Sequence, residues 1–270
     1  MPKPAGPGDD PPWLCLWPER LLFIGRLRQV AAHRHATPVL LVALDGRLRV
    51  HTAASGWQEG QTALIAAGLL HALDLAGGLT AVFYNDPHRP LHPRLAVAAV
   101  AGVQLDPPGL EALAEPLRQR YGQRAQPASP AAARLDAALL AVLGQHERAP
   151  RRDPRIEQVL AVLEREVSEN LSLQALAHPV GLSASRLQHL LLAELGVPVR
   201  RLRLWLRFRR ALEQVGRGAS FTEAALEAGF ASSSHFSHAF RSMFGVAARS
   251  VLAPERPLTV EWRPGQRPAA

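Results

Sequence analysis

The chain has 270 residues, 47% of them hydrophobic, and a net charge of +8 at neutral pH. This length allows two domains of ordinary size. A single cysteine, Cys15, excludes an internal disulfide framework and is typical of the reducing cytosol. No apolar run approaches the length of a membrane span, and no signal peptide is evident, so we expect a cytoplasmic protein without a membrane partner.

The charged residues are distributed unevenly along the chain. All but one of the 31 basic residues are arginine. Residues 1–150 hold 14 basic and 12 acidic residues, whereas residues 151–270 hold 17 and 11. The positive excess in the second part favours nucleic acid as a partner there, because clustered arginines attract phosphates.

The first part of the chain predicts β-structure. Segments suitable for short strands lie at 14–17, 20–25, 39–44, 47–52, 63–65, 70–75 and 79–84. Asp45-Gly46 and Gly77-Gly78 each separate two such segments, and pairs of this kind predict hairpins. So many strands in about seventy residues imply a β-barrel or a sandwich.

Two amphipathic segments follow the predicted strands. Residues 109–121 and 131–145 each place leucines on one helical face. This helical hairpin could pack against the β-domain or form a homodimer, and periodicity does not separate the two. The segment 147–154 is rich in proline and arginine and predicts a linker. The Pro/Arg-rich segment 253–270 is expected to be a mobile tail.

The region 220–245 predicts a helix-turn-helix. Ser220 and Glu223 have the spacing of a capping box, so a helix should begin at Phe221. Gly229 supplies a left-handed turn, and Ser232 can cap a second helix. That helix has one phenylalanine face, and its opposite face is short, polar or cationic, as a helix in a major groove requires. The polar face consists of Ser233, Ser234, His235, Ser237, His238 and Arg241.

The region 171–196 repeats the same order of signals. Ser172 caps a short helix, Gly181 turns the chain, and Ser183 caps the next helix. The outer face of this second helix consists of Ala184, Arg186, Gln188 and His189. Two copies of one arrangement indicate two helix-turn-helix units.

The segment 200–215 between the two units predicts one arginine-rich linking helix. Its arginines, among them Arg200 and Arg201, could bind phosphates. The alternative is that several only solvate the helix and that Arg207 is a buried structural residue.

Residues 155–252 resemble the DNA-binding domain of AraC-type bacterial transcription regulators. The resemblance rests on Leu176-Ala177, Gly181-Leu182-Ser183, Gly196, Arg207, Ala225, Gly229-Phe230, Ser234-His235-Phe236-Ser237, Phe240 and Phe244-Gly245. It implies an all-α domain at 154–252 with two helix-turn-helix units that enter successive major grooves of double-stranded DNA. It also makes RNA polymerase a possible partner.

Residues 13–147 resemble the cupin-like barrel that often forms the sensing half of such regulators. The pattern fits His33, His35 and His71, with Val39 where cupins place a glutamate. The resemblance implies an α+β protein of two domains, with a cupin-like β-barrel and helical hairpin first. It places an effector, either a small molecule or a divalent metal, at the three histidines. Alternatively, the histidines are uncharged residues of a pocket without metal.

The combined pattern predicts a DNA-binding transcription regulator, not an enzyme, controlled by a small-molecule or metal effector. A metal-dependent cupin enzyme with a helical appendage is the alternative from another class. A DNA-bound scaffold with an empty barrel is a third.

Overall fold

The computed structural model describes residues 11–17, 20–86, 102–126, 129–143, 152–251 and 259–262. They form a strand-rich first part and a helical second part, which confirms the predicted α+β organisation. The predicted linker 147–154 lies largely outside these residues, so its conformation is not described.

The described strands form two sheets. The strands are β1 (Trp13–Leu16), β2 (Arg20–Arg26), β3 (Gln29–His33), β4 (Val39–Ala43), β5 (Leu48–Thr52), β6 (Gly56–Gly60), β7 (Thr62–Ile65), β8 (His71–Asp74), β9 (Leu79–Asn85), β10 (Val103–Leu105) and β11 (Thr259–Trp262). The larger sheet has the order β10-β7-β4-β9-β2-β1-β11, and the smaller sheet has the order β3-β8-β5-β6. The closed cupin-like barrel that the sequence suggested is not formed by these strands, which make a two-sheet sandwich.

Both predicted hairpins are wrong, although their strands exist. β4 pairs with β7 and β9, whereas β5 pairs with β6 and β8. Asp45-Gly46 therefore connects one sheet to the other, and Gly77-Gly78 does the same between β8 and β9. The burial of the strands gives the reason: all of β4 is buried, as in a strand covered on both faces, whereas β5 alternates, as in a strand with one solvated face.

The helical hairpin covers one face of the larger sheet. It consists of α1 (Ala114–Gly122), preceded by a 3-10 turn at Leu110–Leu113, and α2 (Pro130–Leu143). Leu117, Leu135 and Leu139 are buried against Trp13 and other residues of that face. The hairpin therefore packs on the β-domain with one side, as one of the two alternatives predicted.

The second part is helical and its boundaries follow the predicted caps. It contains α3 (Pro154–Arg165), α4 (Leu173–Ala177), α5 (Ala184–Leu195), α6 (Val199–Gly216), α7 (Phe221–Glu227), α8 (Ser233–Phe244) and α9 (Ala248–Val251). Ser172, Ser183, Ser220 and Ser232 each accept a hydrogen bond from the backbone N–H three residues later. The capping box of Ser220 and Glu223 is present.

The expected mobile tail contains a strand that returns to the first domain. β11 pairs in parallel with β1 at the edge of the larger sheet. Its Glu261 carboxylate pairs with the buried Arg120 guanidinium of α1, which also stacks on Trp13. β11 was not predicted from the sequence, because its partner strand β1 lies near the other end of the chain.

The two parts share one apolar core. A contiguous cluster runs from the inner faces of both sheets into the helical part. Within the described residues, no helix combines the length and apolar character needed to cross a membrane.

Candidate DNA-binding surface and sensor cavity

The two helix-turn-helix units present their second helices in the same way. Leu187, Leu191 and Leu195 bury one side of α5, and Phe236, Phe240 and Met243 bury one side of α8. The predicted residues lie on the opposite sides: Arg186, Gln188, His189, Ser233, Ser234, His235, Ser237, His238 and Arg241 are exposed, and Ala184 is half-buried. Both polar faces are therefore accessible to solvent.

The side chain of His235 has a local role in addition to its exposure. Its Nδ1 accepts a hydrogen bond from the backbone N–H of Ala231 at 3.2 Å, and its ring packs against Phe230. These contacts order the turn before α8. The residue therefore shapes the start of the helix as well as its surface.

Most arginines of α6 are committed to protein contacts. Arg207 donates to the carbonyls of Val167 and Ser168 at 3.0 and 2.9 Å, which confirms the structural role offered for it above. Arg203 donates to Leu171 O at 2.5 Å. Arg201 is half-buried and donates to Arg34 O of the β-domain at 2.7 Å, whereas Arg200 is exposed. Of the arginines assigned to DNA on this helix, Arg200 is therefore better placed.

The fit around Arg207 also explains Gly229. A Cβ at this glycine would lie 2.6 Å from Ser168 O and 3.0 Å from the Arg207 Nε, and its φ of +87° is left-handed. Both the space and the backbone therefore require glycine at the turn of the second unit.

His33, His35 and His71 meet in the β-domain, as predicted. The three side chains are buried, and a potential ligand atom from each lies within 4.8 Å of the others. His33 Nδ1–H donates to Ala31 O at 2.8 Å, and His71 Nδ1–H donates to Leu69 O at 3.0 Å. Because a neutral imidazole has one N–H, the Nε2 atoms of both rings carry lone pairs.

Burial keeps these imidazoles neutral. Desolvation, with the nearby His71, lowers the pKa of His33 to about 3, and desolvation lowers the pKa of His71 to about 4. Desolvation also lowers the pKa of His35, and the charges that His33, His71 and Arg201 would present add to it. Neutral imidazoles can accept a hydrogen bond or a metal ion, which imidazolium cannot.

An apolar cavity of about 70 Å³ lies beside the histidines, between the two domains. His33 and His35 form its polar part. The β-domain contributes Leu14, Leu21, Phe23, Leu27, Val30, Leu73, Leu75, Val82 and Tyr84, and the helical domain contributes Leu212, Phe240, Phe244, Val246 and Val251. The cavity therefore belongs to both domains.

The end of α8 rests on the same histidines. Ala31 N–H donates to Gly245 O at 3.0 Å, and a Cβ at Gly245 would lie 2.6 Å from His33 Nδ1. The Met243 backbone partly opposes the lowering of the His35 pKa, and the His35 Nδ1 has no hydrogen-bond partner. The second helix-turn-helix unit thus contacts the histidine cluster directly.

A buried ion pair, which the sequence did not reveal, joins the domains nearby. Arg209 of α6 pairs with Asp86, which follows β9, and donates to Trp17 O at 3.0 Å. Asp86 and Arg209 are both buried. From the sequence alone, Arg209 is one of the candidate phosphate-binding arginines, because nothing local marks its distant partner.

Comparison with known protein families finds a match in the helical part of the chain. A family described as a helix-turn-helix domain matches residues 176–253, which span α5 to α9 and nearly all of both units. These residues form an AraC-type helix-turn-helix domain. The protein is a DNA-binding transcription regulator. Among curated protein sequences, none matches the chain.

Solved structures share the fold over most of the chain. Apo ToxT K231A from Vibrio cholerae strain SCE256 is 13% identical, with a TM-score of 0.61 over 86% of this chain and 96% of that chain. Wild-type ToxT of that strain with bound unsaturated fatty acid is 13% identical, with a TM-score of 0.56 over 85% and 93%. ToxT from Vibrio cholerae O395 bound to (E)-4-(8-methylnaphthalen-1-yl)but-3-enoic acid is 14% identical, with a TM-score of 0.55 over 86% and 97%. This likeness concerns the fold.

Proposed function

We propose that this transcription regulator is controlled by a small, mainly apolar molecule that binds in the cavity between its domains. The observation that carries the proposal is the shared lining of the cavity. Val82 and Tyr84 come from β9, whereas Phe240 and Phe244 come from α8. A ligand there touches both domains, so it shifts any equilibrium in which their contact changes.

The chemistry of the cavity limits the ligand. Neutral His33 and His35 can exchange hydrogen bonds with a polar group, and the other lining residues are mainly apolar. The volume of about 70 Å³ holds only a few groups of water size, each of which needs ~10–15 Å³. The fatty acid of the ToxT structure is a related kind of ligand, but here a long chain would require the cavity to open.

The DNA-binding surface is proposed to read a bipartite site. Helices α5 and α8 enter successive major grooves, with their centres about one helical turn, or ~10 bp, apart. Arg186 and Gln188 read base edges in one half, and Ser234, His238 and Arg241 read them in the other. Ala184, His189, Ser233, His235 and Ser237 face the same grooves, and Arg200 with Arg201 contributes positive charge near the phosphates.

A homodimer through α2 completes the proposal. The inner side of α2 is buried on the β-domain, whereas Leu140 on its outer side is 69% exposed. Ala133, Ala137 and Ala141 are exposed beside it. A second copy could cover this apolar side, and the regulator could then meet RNA polymerase at a promoter.

The enzyme alternative gains no support from the site. Among the described residues, the cluster of possible metal ligands contains the three histidines and no carboxylate. Val39, at the place of the cupin glutamate, is a fully buried residue of β4. The cavity shared with α8 favours a sensor over a scaffold whose first domain is empty.

The test combines DNA selection with a small apolar probe. Full-length protein is used to select binding sites from random DNA, and binding to the selected DNA is measured with and without xenon under pressure, because xenon enters dry apolar cavities and is smaller than benzene. We expect a bipartite site and an affinity that changes with xenon. The matched variant Val82→Phe fills the cavity and should remove the response. DNA binding that xenon never changes would contradict control through this cavity.

A further inference from the structure

The three histidines are arranged for more than hydrogen bonding. Backbone carbonyls fix two of the rings: Ala31 O accepts from His33, and Leu69 O accepts from His71. Such bonds to Nδ1 orient a metal-binding imidazole and select the tautomer in which Nε2 is the ligand. The same two bonds therefore direct two Nε2 lone pairs towards the centre of the cluster.

The cluster is incompletely satisfied as it stands. His71 Nε2 and His35 Nδ1 are buried and lack hydrogen-bond partners. His33 Nε2 and His35 Nε2 lie 3.0 Å apart, and a single proton shared between them leaves His71 outside the bond. Because a buried polar atom without a partner costs free energy, the arrangement indicates a ligand that engages all three rings.

We infer that His33, His35 and His71 bind a divalent transition-metal ion of the zinc class against the C-terminal end of α8. Neutral imidazole nitrogen suits Zn²⁺, and three protein ligands leave a fourth position open. Zn–N bonds of ~2.0–2.1 Å place ligand nitrogens ~3.3 Å apart in a tetrahedron. The ligand atoms lie within 4.8 Å of one another, so metal binding would draw them closer together.

The metal site would act on the second recognition helix. When His35 uses Nε2 for the metal, its Nδ1 carries the proton, and the Met243 backbone near the end of α8 lies close enough to favour a protonated ring nitrogen. Carbonyls in the last turn of a helix have no partner within the helix and can accept this proton. The metal thus draws His35 onto α8 beside the bond from Ala31 to Gly245 O.

This inference deepens the proposed function, because it assigns a ligand class to the polar end of the same sensor region. His33 and His35, two of the three proposed ligands, also line the cavity. A small molecule in the cavity therefore lies beside the metal site.

The experiment measures zinc binding to the full-length protein. Protein stripped with a chelator is titrated with Zn²⁺ by calorimetry and with Co²⁺ by visible absorption. We expect one site, with the absorption of tetrahedral Co²⁺ bound by nitrogen. His71→Gln and His33→Gln should each weaken binding at least ~100-fold, since even an outer-shell change typically costs ~10–100-fold. His51→Gln is the control, because His51 lies on β5 against Trp57, outside the cluster.

Hydrogen exchange tests the connection to α8 in the same samples. Zinc should slow exchange of the Ala31 amide and of peptides spanning 240–246 in the wild-type protein. Wild-type protein that binds no zinc overturns the site, as does a folded His71→Gln variant that binds like the wild type. Zinc binding without slower exchange overturns the connection to α8.

The outcome for DNA separates this inference from the proposed function. Affinity for the selected DNA is measured on the same samples. If the protein binds DNA but no zinc, the zinc inference alone is wrong. If it binds zinc but no DNA, the proposed function as a transcription regulator is wrong.

Discussion

The two helix-turn-helix units have the same local design but different attachments to the β-domain. Helices α5 and α8 both begin at a capping serine and end at a glycine with φ of +71°. Gly196, after α5, packs near Ala67, whereas Gly245, after α8, accepts a hydrogen bond from Ala31 beside His33. Since only α8 also lines the cavity, we expect a sensor signal to reach the second unit first.

The largest expected effect on stability comes from a substitution that breaks the buried ion pair between the two domains. Arg209→Ala removes the cation from the buried Asp86 carboxylate, and breaking such a pair typically costs about 3–5 kcal/mol. Arg210→Ala is the matched control on the next residue of α6, because the exposed Arg210 guanidinium lies 3.8 Å from Glu213, and ion pairs of surface arginines contribute about 0–1 kcal/mol. Urea unfolding of both variants measures the difference; equal losses would show that the buried pair does not hold the domains.

A pair of glycine variants compares the two helix ends directly. Gly196→Ala and Gly245→Ala both force alanine into the left-handed region, at about 1–2 kcal/mol. At Gly245 the new Cβ would also lie 2.5 Å from Ala31 O, which adds about 1–3 kcal/mol of overpacking. At Gly196 the nearest atom is Ala67 O at 3.3 Å. Denaturant unfolding should therefore find Gly245→Ala less stable, and the reverse order would contradict the tighter contact at α8.

Base-reading variants assign each unit to one half of the DNA site. Arg186→Ala and Arg241→Ala should each cost about 1–3 kcal/mol in DNA binding and relax specificity at one position. The positions should lie in different halves, because the residues belong to α5 and α8. Selection of random DNA with each variant gives the result; an unchanged sequence preference would remove that arginine from base reading.

The smallest effect concerns the charge between the units. Arg200→Ala should weaken binding to all sequences alike and reduce the salt dependence by about one phosphate contact. Arg203→Ala is the control, because that guanidinium donates to Leu171 O. The test is to measure the DNA affinity of both variants at several salt concentrations. A loss of affinity in Arg200→Ala that depends on the DNA sequence would mean that Arg200 reads bases.

The helical domain was predictable because its signals are local. Ser183 and Ser232 cap helices that begin at the next residue, and the turn glycines lie within a few positions of their helices. The histidine cluster was found through spacing, although the surrounding closed barrel was not formed. The predicted strand pairing was wrong where the true partner is distant in the sequence. Asp45-Gly46 can form a turn between any two consecutive strands, whether or not they pair with each other. The sequence shows the continuous apolar run of β4 and the alternation of β5, but it does not show that the two strands belong to different sheets.

The contacts between domains could not be predicted from the sequence. Asp86 and Arg209 are far apart along the chain, and an arginine in a basic helix resembles its neighbours. The same holds for Glu261 and Arg120. Such pairs form between segments that are distant in the chain, and no periodic pattern in a single sequence indicates which distant residues will pair.

We expect the histidine cluster and the cavity to act on DNA binding through α8 and not through α5. The most direct measurement is a footprint of both DNA half-sites, assigned by Arg186→Ala and Arg241→Ala, as Zn²⁺ is added to the stripped full-length protein. We predict that protection changes in the half bound by α8, while the half bound by α5 is protected throughout. Equal changes in both halves, or a change confined to the α5 half, would contradict the account.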